Sequence, residues 1–227
     1  MNITNISHQE WPVQFKNEHS FQYNFRTWCI LKLNQFVIGG NMSNASLANK
    51  MLVATPTLDD PRFVHSVVYL CEHHVQGSVG LIINRPMDFP LGFVLEQLEI
   101  KPNQDDINDR PLLYGGPVQP DRGFVIHRPF GSWKSSLSLK DDVTVTTSND
   151  IIRAIAYNEG PKDALVTLGY AHWEENQLEQ ELMNNDWLVC PASPELLYDV
   201  PFEQRWLEAG ESIGVDMNRL TSGFGNA

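Results

Sequence analysis

Two apolar runs separated by only a few residues constrain this sequence more than any other feature. Val64–His74 and Ser78–Asn84 are rich in Val, Leu and Ile, and the segment between them contains Gly77. Two such runs joined by a short link that contains glycine are typical of an antiparallel hairpin. Because both runs are apolar along most of their length, we expect both strands to be mostly buried.

The rest of the chain mixes short strands with short helices. Leu112–Tyr114 and Phe124–His127 flank a Gly- and Pro-rich segment, which predicts a second hairpin with an elaborate turn. Further strands are predicted at Val143–Thr146, Ala164–Tyr170 and Trp187–Cys190, and helices at Leu91–Leu98, Ile151–Tyr157, Glu175–Met183 and Phe202–Ile213. Hairpins predominate early, which favours an α+β fold with a mainly antiparallel sheet.

The first 46 residues differ from the remainder. They are rich in Asn and Gln, their aromatic residues are scattered, and no period of a helix or strand is present. We therefore predict an irregular N-terminal extension at 1–46 and one domain at 47–227. Met42 is a plausible true start of translation, in which case the upstream start codon is misassigned. The alternative is that the segment is an arm whose aromatic side chains pack on a neighbouring molecule.

Charge and composition exclude several classes of protein. Lys and Arg total 16 against 28 Asp and Glu, a net charge of -12, and no Lys/Arg run is present, so direct DNA binding is disfavoured. Three cysteines without CxxC spacing fit a reducing, cytoplasmic location. No run approaches the roughly 18 apolar residues that a membrane helix needs, so we predict no membrane association.

Common cofactor and catalytic motifs are missing. The sequence has no GxxxxGK[ST], GxGxxG, HExxH or GxSxG, so we predict no cofactor. The polar residues that stand out lie instead at strand ends and turns, where binding sites concentrate. We predict that seven of them form a concave ligand-binding site: Asn84, Arg85, Gly115, Gly116, His127, Trp173 and Gln177.

Several of these residues also have an interpretation in which their role is purely structural. Arg85 precedes Pro86 and suits planar anions, yet an arginine at a strand end is equally a structural ion-pair partner. The pair Gly115–Gly116 permits an anion-binding nest, and a simple turn explains it as well. Gln177 lies near the start of a predicted helix, after a turn that carries Trp173.

Histidines raise the possibility of a metal site. Strand alternation puts Cys71 and His73 on one face, where His127 could complete a set of ligands. Cys71 is more simply a small core residue. We therefore predict no bound metal.

Catalysis by a histidine and a carboxylate is the alternative function. A hydrolase or transferase would use His73, His127 or His172 as acid or base, with Glu72 or Glu179 as the partner. Hydrogen-bond reach between one of these histidines and a carboxylate in a shared pocket is the geometric requirement. Whether the chain is an enzyme is left open at this point.

Three stretches carry a resemblance to a known family. Lys50–Pro86, Tyr114–His127 and Gly169–Glu181 resemble, in order and spacing, the AlgH/YqgE family of bacterial proteins, and the likeness runs from about Leu47 to the C-terminus. It implies an α+β fold whose bent sheet closes into a pseudo-barrel with flanking helices, in a cytosolic protein. Members are often labelled transcriptional regulators, and no reaction is established for them.

One stretch departs from the family pattern. His172 and Asn176 stand where the family usually has glycine, which makes any pocket at that turn different in shape here. Taken together, the residues and the resemblance predict a non-enzymatic binding or regulatory module. We expect it to act indirectly on gene expression through an unknown protein or small-molecule partner.

Overall fold

The structure is a computed structural model that describes residues 46–129, 131–140 and 142–222. The predicted N-terminal extension lies outside the described residues except for Ser46, so its boundary stays a prediction. The sheet in the described part has nine strands: β1 (Lys50–Ala54), β2 (Val67–His74), β3 (Gly77–Ile82), β4 (Leu112–Tyr114), β5 (Val118–Arg128), β6 (Ser136–Ser138), β7 (Thr144–Thr146), β8 (Asp163–Trp173) and β9 (Trp187–Pro191).

Within residues 46–222, in the segments that the structure describes, six short helices and one 3₁₀ turn flank this sheet. They are α1 (Leu91–Gln97), the turn Asp105–Ile107, α2 (Asn149–Ala156), α3 (Gln177–Met183), α4 (Pro194–Tyr198), α5 (Arg205–Glu211) and α6 (Met217–Ser222). The strand order is β6-β7-β5-β8-β3-β2-β1-β9, and β4 lies beside β8. The sheet is mainly antiparallel and curls into a half-barrel, which confirms the predicted α+β class.

Alternating side chains build a core on each face of the sheet. Along β1, Met51 and Val53 point to one face, which α4, α5 and α6 cover with Leu197, Trp206 and Met217. The opposite face is covered in two parts, by α1 and α2 over the β5–β8 half and by α3 over the β1–β3 half. Apolar residues at strand period 2 therefore face a helix layer on either side.

The predicted first hairpin is confirmed, with one irregularity. Strands β2 and β3 pair antiparallel, with Tyr69 opposite Leu81. Between Leu70 and Glu72 the register shifts, which leaves Cys71 as the extra residue of a β-bulge. Cys71 packs in the core on one face, whereas His73 points to the face that α3 covers, so simple alternation was wrong for this pair.

The predicted second hairpin is wrong. β4 and β5 do not pair with each other; they flank β8 on opposite sides, with β4 parallel and β5 antiparallel to it. The chain crosses β8 at Gly115–Gly116, against Gly169. A Cβ on Gly116 would lie 2.2 Å from the carbonyl carbon of Tyr170, and a Cβ on Gly169 would lie 2.2 Å from the Gly116 oxygen. These glycines therefore permit a close backbone crossing.

Helix and strand ends differ from the prediction at the C-terminal side of β8. The strand continues through Trp173, so His172 lies in the sheet opposite Val79 and not in a turn. Helix α3 accordingly begins at Gln177, after Asn176 in the left-handed conformation with φ 60°. Asparagine tolerates that conformation better than most residues.

Candidate ligand-binding groove

An open cavity of about 330 Å³ lies between the loop that precedes β2 and helix α5. Its volume is at the lower end of small-molecule sites, which span ~300–1,000 Å³. The lining combines aromatic, aliphatic and charged side chains, and we refer to these residues as the groove: Val64, His65, Asn84, Arg85, Phe202, Glu203, Trp206, Leu207 and Asn218. Two of the seven predicted site residues, Asn84 and Arg85, belong to it.

Asn84 holds the loop in place at the end of β3. Its Oδ1 accepts a hydrogen bond from the Val67 backbone N–H at 2.8 Å, and its Nδ2 donates to the His65 carbonyl at 2.8 Å. One side chain thus satisfies a backbone donor and a backbone acceptor that the loop would otherwise leave unpaired. Asn84 is a positioning residue for the groove wall.

Arg85 both braces the loop and presents a positive charge. Its Nη1 donates to the Arg62 carbonyl and its Nη2 to the Val64 carbonyl. These bonds use two of the five N–H donors of a guanidinium. Asp60 pairs with Arg62 at 2.7 Å, and among the described residues no carboxylate oxygen lies within 4.0 Å of Arg85. The predicted structural ion pair is therefore absent here.

Partial burial acts on the Arg85 charge. Desolvation lowers its pKa, while Tyr114 and Asp60 raise it through their charges at longer range. A guanidinium with a pKa normally above 12 stays charged at neutral pH after such a shift. The groove thus contains a cation that water solvates only in part.

His65 and Trp206 form the aromatic wall. His65 has φ 55°, a left-handed conformation that is uncommon outside glycine and often marks functional sites. Its ring lies 4.2 Å from the Trp206 ring, and the indole Nε1 of Trp206 donates to the Ala54 carbonyl at 2.8 Å. The wall is therefore anchored to β1.

A second cation lies next to the groove. Arg205 is 2% exposed, and it donates to the carbonyls of Val200 and Ile83. Its guanidinium lies 4.5 Å from the centre of the Phe202 ring, which lines the groove. Burial lowers the pKa of Arg205 to about 10, so it remains charged at neutral pH. In the described part of the chain it too has no carboxylate oxygen within 4.0 Å.

Trp173 and Gln177 belong to a different group, which we name the tryptophan cluster: Phe63, Trp173, Gln177, Glu181 and Trp187. The Oε2 atom of Glu181 accepts hydrogen bonds from both indoles, at 2.8 Å and 2.7 Å. Its Oε1 accepts from Gln177 at 2.8 Å. The Phe63 ring contacts both indole rings, at 6.4 Å and 5.7 Å between centroids. The structure brings the two predicted residues together, with the Trp173 indole N–H and one Gln177 amide N–H donating to Glu181.

His127 is buried elsewhere in the sheet. Its Nε2 lies 2.8 Å from the Thr146 hydroxyl and its Nδ1 lies 3.3 Å from the Pro129 carbonyl, and burial lowers its pKa. Gly115 and Gly116 lie at the crossing over β8, where the Gly115 N–H donates to Leu168. The predicted set of seven is thus divided among four places in the fold.

One histidine and one carboxylate lie within the hydrogen-bond distance that the catalytic alternative requires. His73 Nε2 lies 3.1 Å from Glu179 Oε1, and His73 Nδ1 accepts a hydrogen bond from the Leu47 N–H at 3.2 Å. Both ring nitrogens are therefore engaged, and a general base needs a nitrogen that faces the substrate. The pair joins Leu47, β2 and α3.

Metal ligation is not supported by the geometry of the described residues. Among them, no three His, Cys, Asp or Glu side chains lie close enough to hold an ion. Burial raises the pKa of the Cys71 thiol, and the bulge turns His73 away from it.

Sequence reasoning missed most of the groove. His65 was included in a predicted strand, and Phe202 in a predicted helix that begins only at Arg205. Trp206 packs largely in the core and is 7% exposed. The usable signal was the interleaving of aromatic and charged residues in Phe202–Trp206.

No described helix is long and apolar enough to cross a membrane.

Comparisons with known proteins agree on one family. The AlgH-like family model, DUF179, matches residues 51–218. The UPF0301 protein lpl0620 of Legionella pneumophila (strain Lens) is 65% identical over 183 residues, which cover 81% of this chain and 98% of the relative. The UPF0301 protein Tgr7_2910 of Thioalkalivibrio sulfidiphilus is 46% identical over 185 residues, with 82% and 99% covered.

Two solved structures share the fold. The solution structure of the AlgH protein from Pseudomonas aeruginosa has 44% identity and a TM-score of 0.67, and the match covers 83% of this chain and 100% of that one. Protein DIP2367 from Corynebacterium diphtheriae has 18% identity and a TM-score of 0.60, with 80% and 94% covered, which supports the fold alone. On the family model and these identities, the chain belongs to the AlgH-like, or UPF0301, family.

Proposed function

We propose that this protein is a non-enzymatic binding module of the cytoplasm, which holds a small molecule in the groove and acts on gene expression through another protein. The observation that carries the proposal is a cavity of about 330 Å³ with a partly buried arginine in its wall. Such a cavity with a few convergent polar groups is the usual form of a small-molecule site.

Preorganisation supports binding at this place. Asn84 and Arg85 together satisfy three carbonyls of the loop that carries Val64 and His65, and the N–H of Val67 at the start of β2. A wall held in this way loses little conformational entropy when a ligand binds, which favours affinity.

An indirect route to gene expression fits the charge of the chain. A net charge of -12 repels the phosphate backbone of DNA, so a protein intermediary is the simpler path. A regulatory role is implied by the family resemblance. The hydrolase or transferase alternative has only the His73–Glu179 contact in its favour, and that contact leaves neither histidine nitrogen facing a substrate.

Native mass spectrometry of the freshly purified full chain tests the proposal. We expect an added mass that denaturation removes, or, for a chain that has lost its ligand, a rise in the thermal unfolding midpoint with compounds from a panel of metabolites. The panel contains nucleotides, sugar phosphates, amino acids and aromatic acids.

Two matched variants locate the site. Val64→Trp fills the groove, and Val75→Trp places the same side chain on the exposed β2–β3 turn, where valine is 72% exposed. We expect Val64→Trp to lose the ligand and Val75→Trp to keep it. A bare wild-type mass together with no thermal shift from any panel compound would refute the proposal, and so would equal binding by both variants.

A further inference from the structure

We infer that the groove takes a small organic anion, a flat ring that carries a carboxylate or phosphate group. This inference rests on the proposed function and names the chemical class of the ligand. It is carried by the Arg85 charge, which has no carboxylate oxygen within 4.0 Å among the described residues, by the aromatic residues in the groove walls and by the geometry of the Arg85 guanidinium.

The groove contains a cation that has no close carboxylate partner. Arg85 and Glu203 are the arginine and the carboxylate of the lining, and among the described residues no carboxylate oxygen lies within 4.0 Å of Arg85. Asp60 raises the pKa of Arg85 through its charge at longer range, and Glu203 acts in the same way on the buried Arg205. In a chain of net charge -12, a partly buried guanidinium at the wall of a cavity is complementary to an anion.

Arg85 has the geometry to hold that anion. Its bonds to the Arg62 and Val64 carbonyls fix the plane of the guanidinium and use two of its five N–H groups. Within the described part of the chain, the other three have no hydrogen-bond partner. A fixed, planar set of donors matches the paired oxygens of a carboxylate or phosphate, and such charge-assisted bonds are among the strongest in proteins.

The walls of the groove contain aromatic residues. The exposed His65 ring lies against Trp206 on one side, and Phe202, next to the Arg205 guanidinium, lines the cavity as well. Val64 and Leu207 add apolar contacts. Aromatic walls favour planar ligands because rings pack in offset-stacked or edge-to-face geometry. A volume of about 330 Å³ suits one or two fused rings.

Calorimetric titration of the full chain with four probes tests the inference. The probes are 2-naphthoate, 2-naphthyl phosphate, neutral 2-naphthamide and cyclohexanecarboxylate. We expect at least one of the two aromatic anions to bind about tenfold or more tighter than the amide, since the anion adds charge-assisted hydrogen bonds. We also expect 2-naphthoate to bind better than cyclohexanecarboxylate, which lacks the flat ring. The preferred anion distinguishes carboxylate from phosphate recognition.

Arginine variants assign the anion contact. Arg85→Met should abolish the preference for the anion over the amide, whereas Arg153→Met, at an exposed position on α2, should not alter it. Because Arg85 also braces the loop, Arg85→Lys provides a second variant that keeps the charge; it should retain part of the preference. A wild-type affinity for 2-naphthamide that equals or exceeds the affinities for both 2-naphthoate and 2-naphthyl phosphate would overturn the inference.

The failure of this inference is distinguishable from that of the proposed function. Suppose that a neutral or cationic metabolite binds the wild type and does not bind Val64→Trp. The groove would then remain a binding site, but the inference that its ligand is an anion would be refuted. Binding of the naphthyl anions that is unchanged in Val64→Trp would refute both.

Discussion

The groove and the tryptophan cluster both include residues of the loop that precedes β2, but they differ in how far their polar groups are paired. Phe63 packs into the tryptophan cluster, whereas the next two residues, Val64 and His65, line the groove. In the cluster, the Glu181 carboxylate accepts from two indoles and one amide. In the groove, Arg85 uses two of its five donors.

This difference separates a structural role from a binding role. A buried polar group whose partners all come from the protein adds stability and leaves nothing for a ligand. A charged group that is only partly paired at the wall of a cavity has donors left for a ligand. The presence of aromatic and charged residues does not by itself distinguish a binding site from a structural cluster, because both sites contain such residues.

Removing the Glu181 side chain should have the largest effect on stability. Glu181→Ala leaves the indole N–H groups of Trp173 and Trp187 without their acceptor, and each unpaired buried donor costs ~1–3 kcal/mol. We expect the free energy of unfolding in urea to fall by about 3 kcal/mol, with less loss for Glu181→Gln, which keeps one oxygen. Groove binding should persist in folded protein; its loss would mean that the two sites are not independent.

Asn84→Ala should affect both stability and binding. The Val67 N–H and the His65 carbonyl lose their partner, so we expect a fall of about 2 kcal/mol in the free energy of unfolding and weaker binding of 2-naphthoate. As a control, Asn103→Ala removes one exposed hydrogen bond to the Tyr157 carbonyl and should leave binding unchanged. Wild-type affinity in Asn84→Ala would show that the loop needs no brace.

His73→Phe should affect stability alone. It keeps a ring but removes the contacts to Leu47 and Glu179, which are partly exposed, so we expect a loss of about 1 kcal/mol. His74→Phe, at the exposed neighbouring position, is the matched control. Ligand binding that disappears in a folded His73→Phe variant would move the functional site to this pair.

Lowering the pH should produce the smallest effect on stability, through protonation of His127. Burial lowers the pKa of His127 in the folded state, so below about pH 6.5 the unfolded chain binds the proton more readily. Stability from this residue is therefore present above that pH and is lost as the pH falls toward the folded-state pKa. We expect a smaller drop in stability between pH 7 and pH 5 in His127→Gln than in the wild type, measured by urea unfolding. An equal drop would contradict the role of burial.

Local sequence patterns predicted those parts of the fold that are determined by residues close together in the sequence. The hairpin β2–β3 follows from two apolar runs and a short link, and it is confirmed. The pairing of β4 was wrong because Gly115–Gly116 reads locally as a turn, and no local signal shows that Gly169 lies beneath it.

The groove was predictable only in part, for a related reason. Asn84 and Arg85 stand out at a strand end. The left-handed His65 interrupts an apolar run without a visible signal, and Phe202 reaches the groove only through the packing of the C-terminal helices against β1 and β2. Residues that tertiary contacts bring together leave no periodic pattern in the sequence.

Tryptophan indole signals provide the most direct test of the contrast between the two sites. In ¹H–¹⁵N spectra of the full chain titrated with 2-naphthoate, we expect the Trp206 indole signal and the backbone amides of Val64 and His65 to shift most, with much smaller shifts for Trp173 and Trp187. Largest shifts at Trp173 or Trp187, or no shift at Trp206, would contradict the assignment of the groove as the binding site.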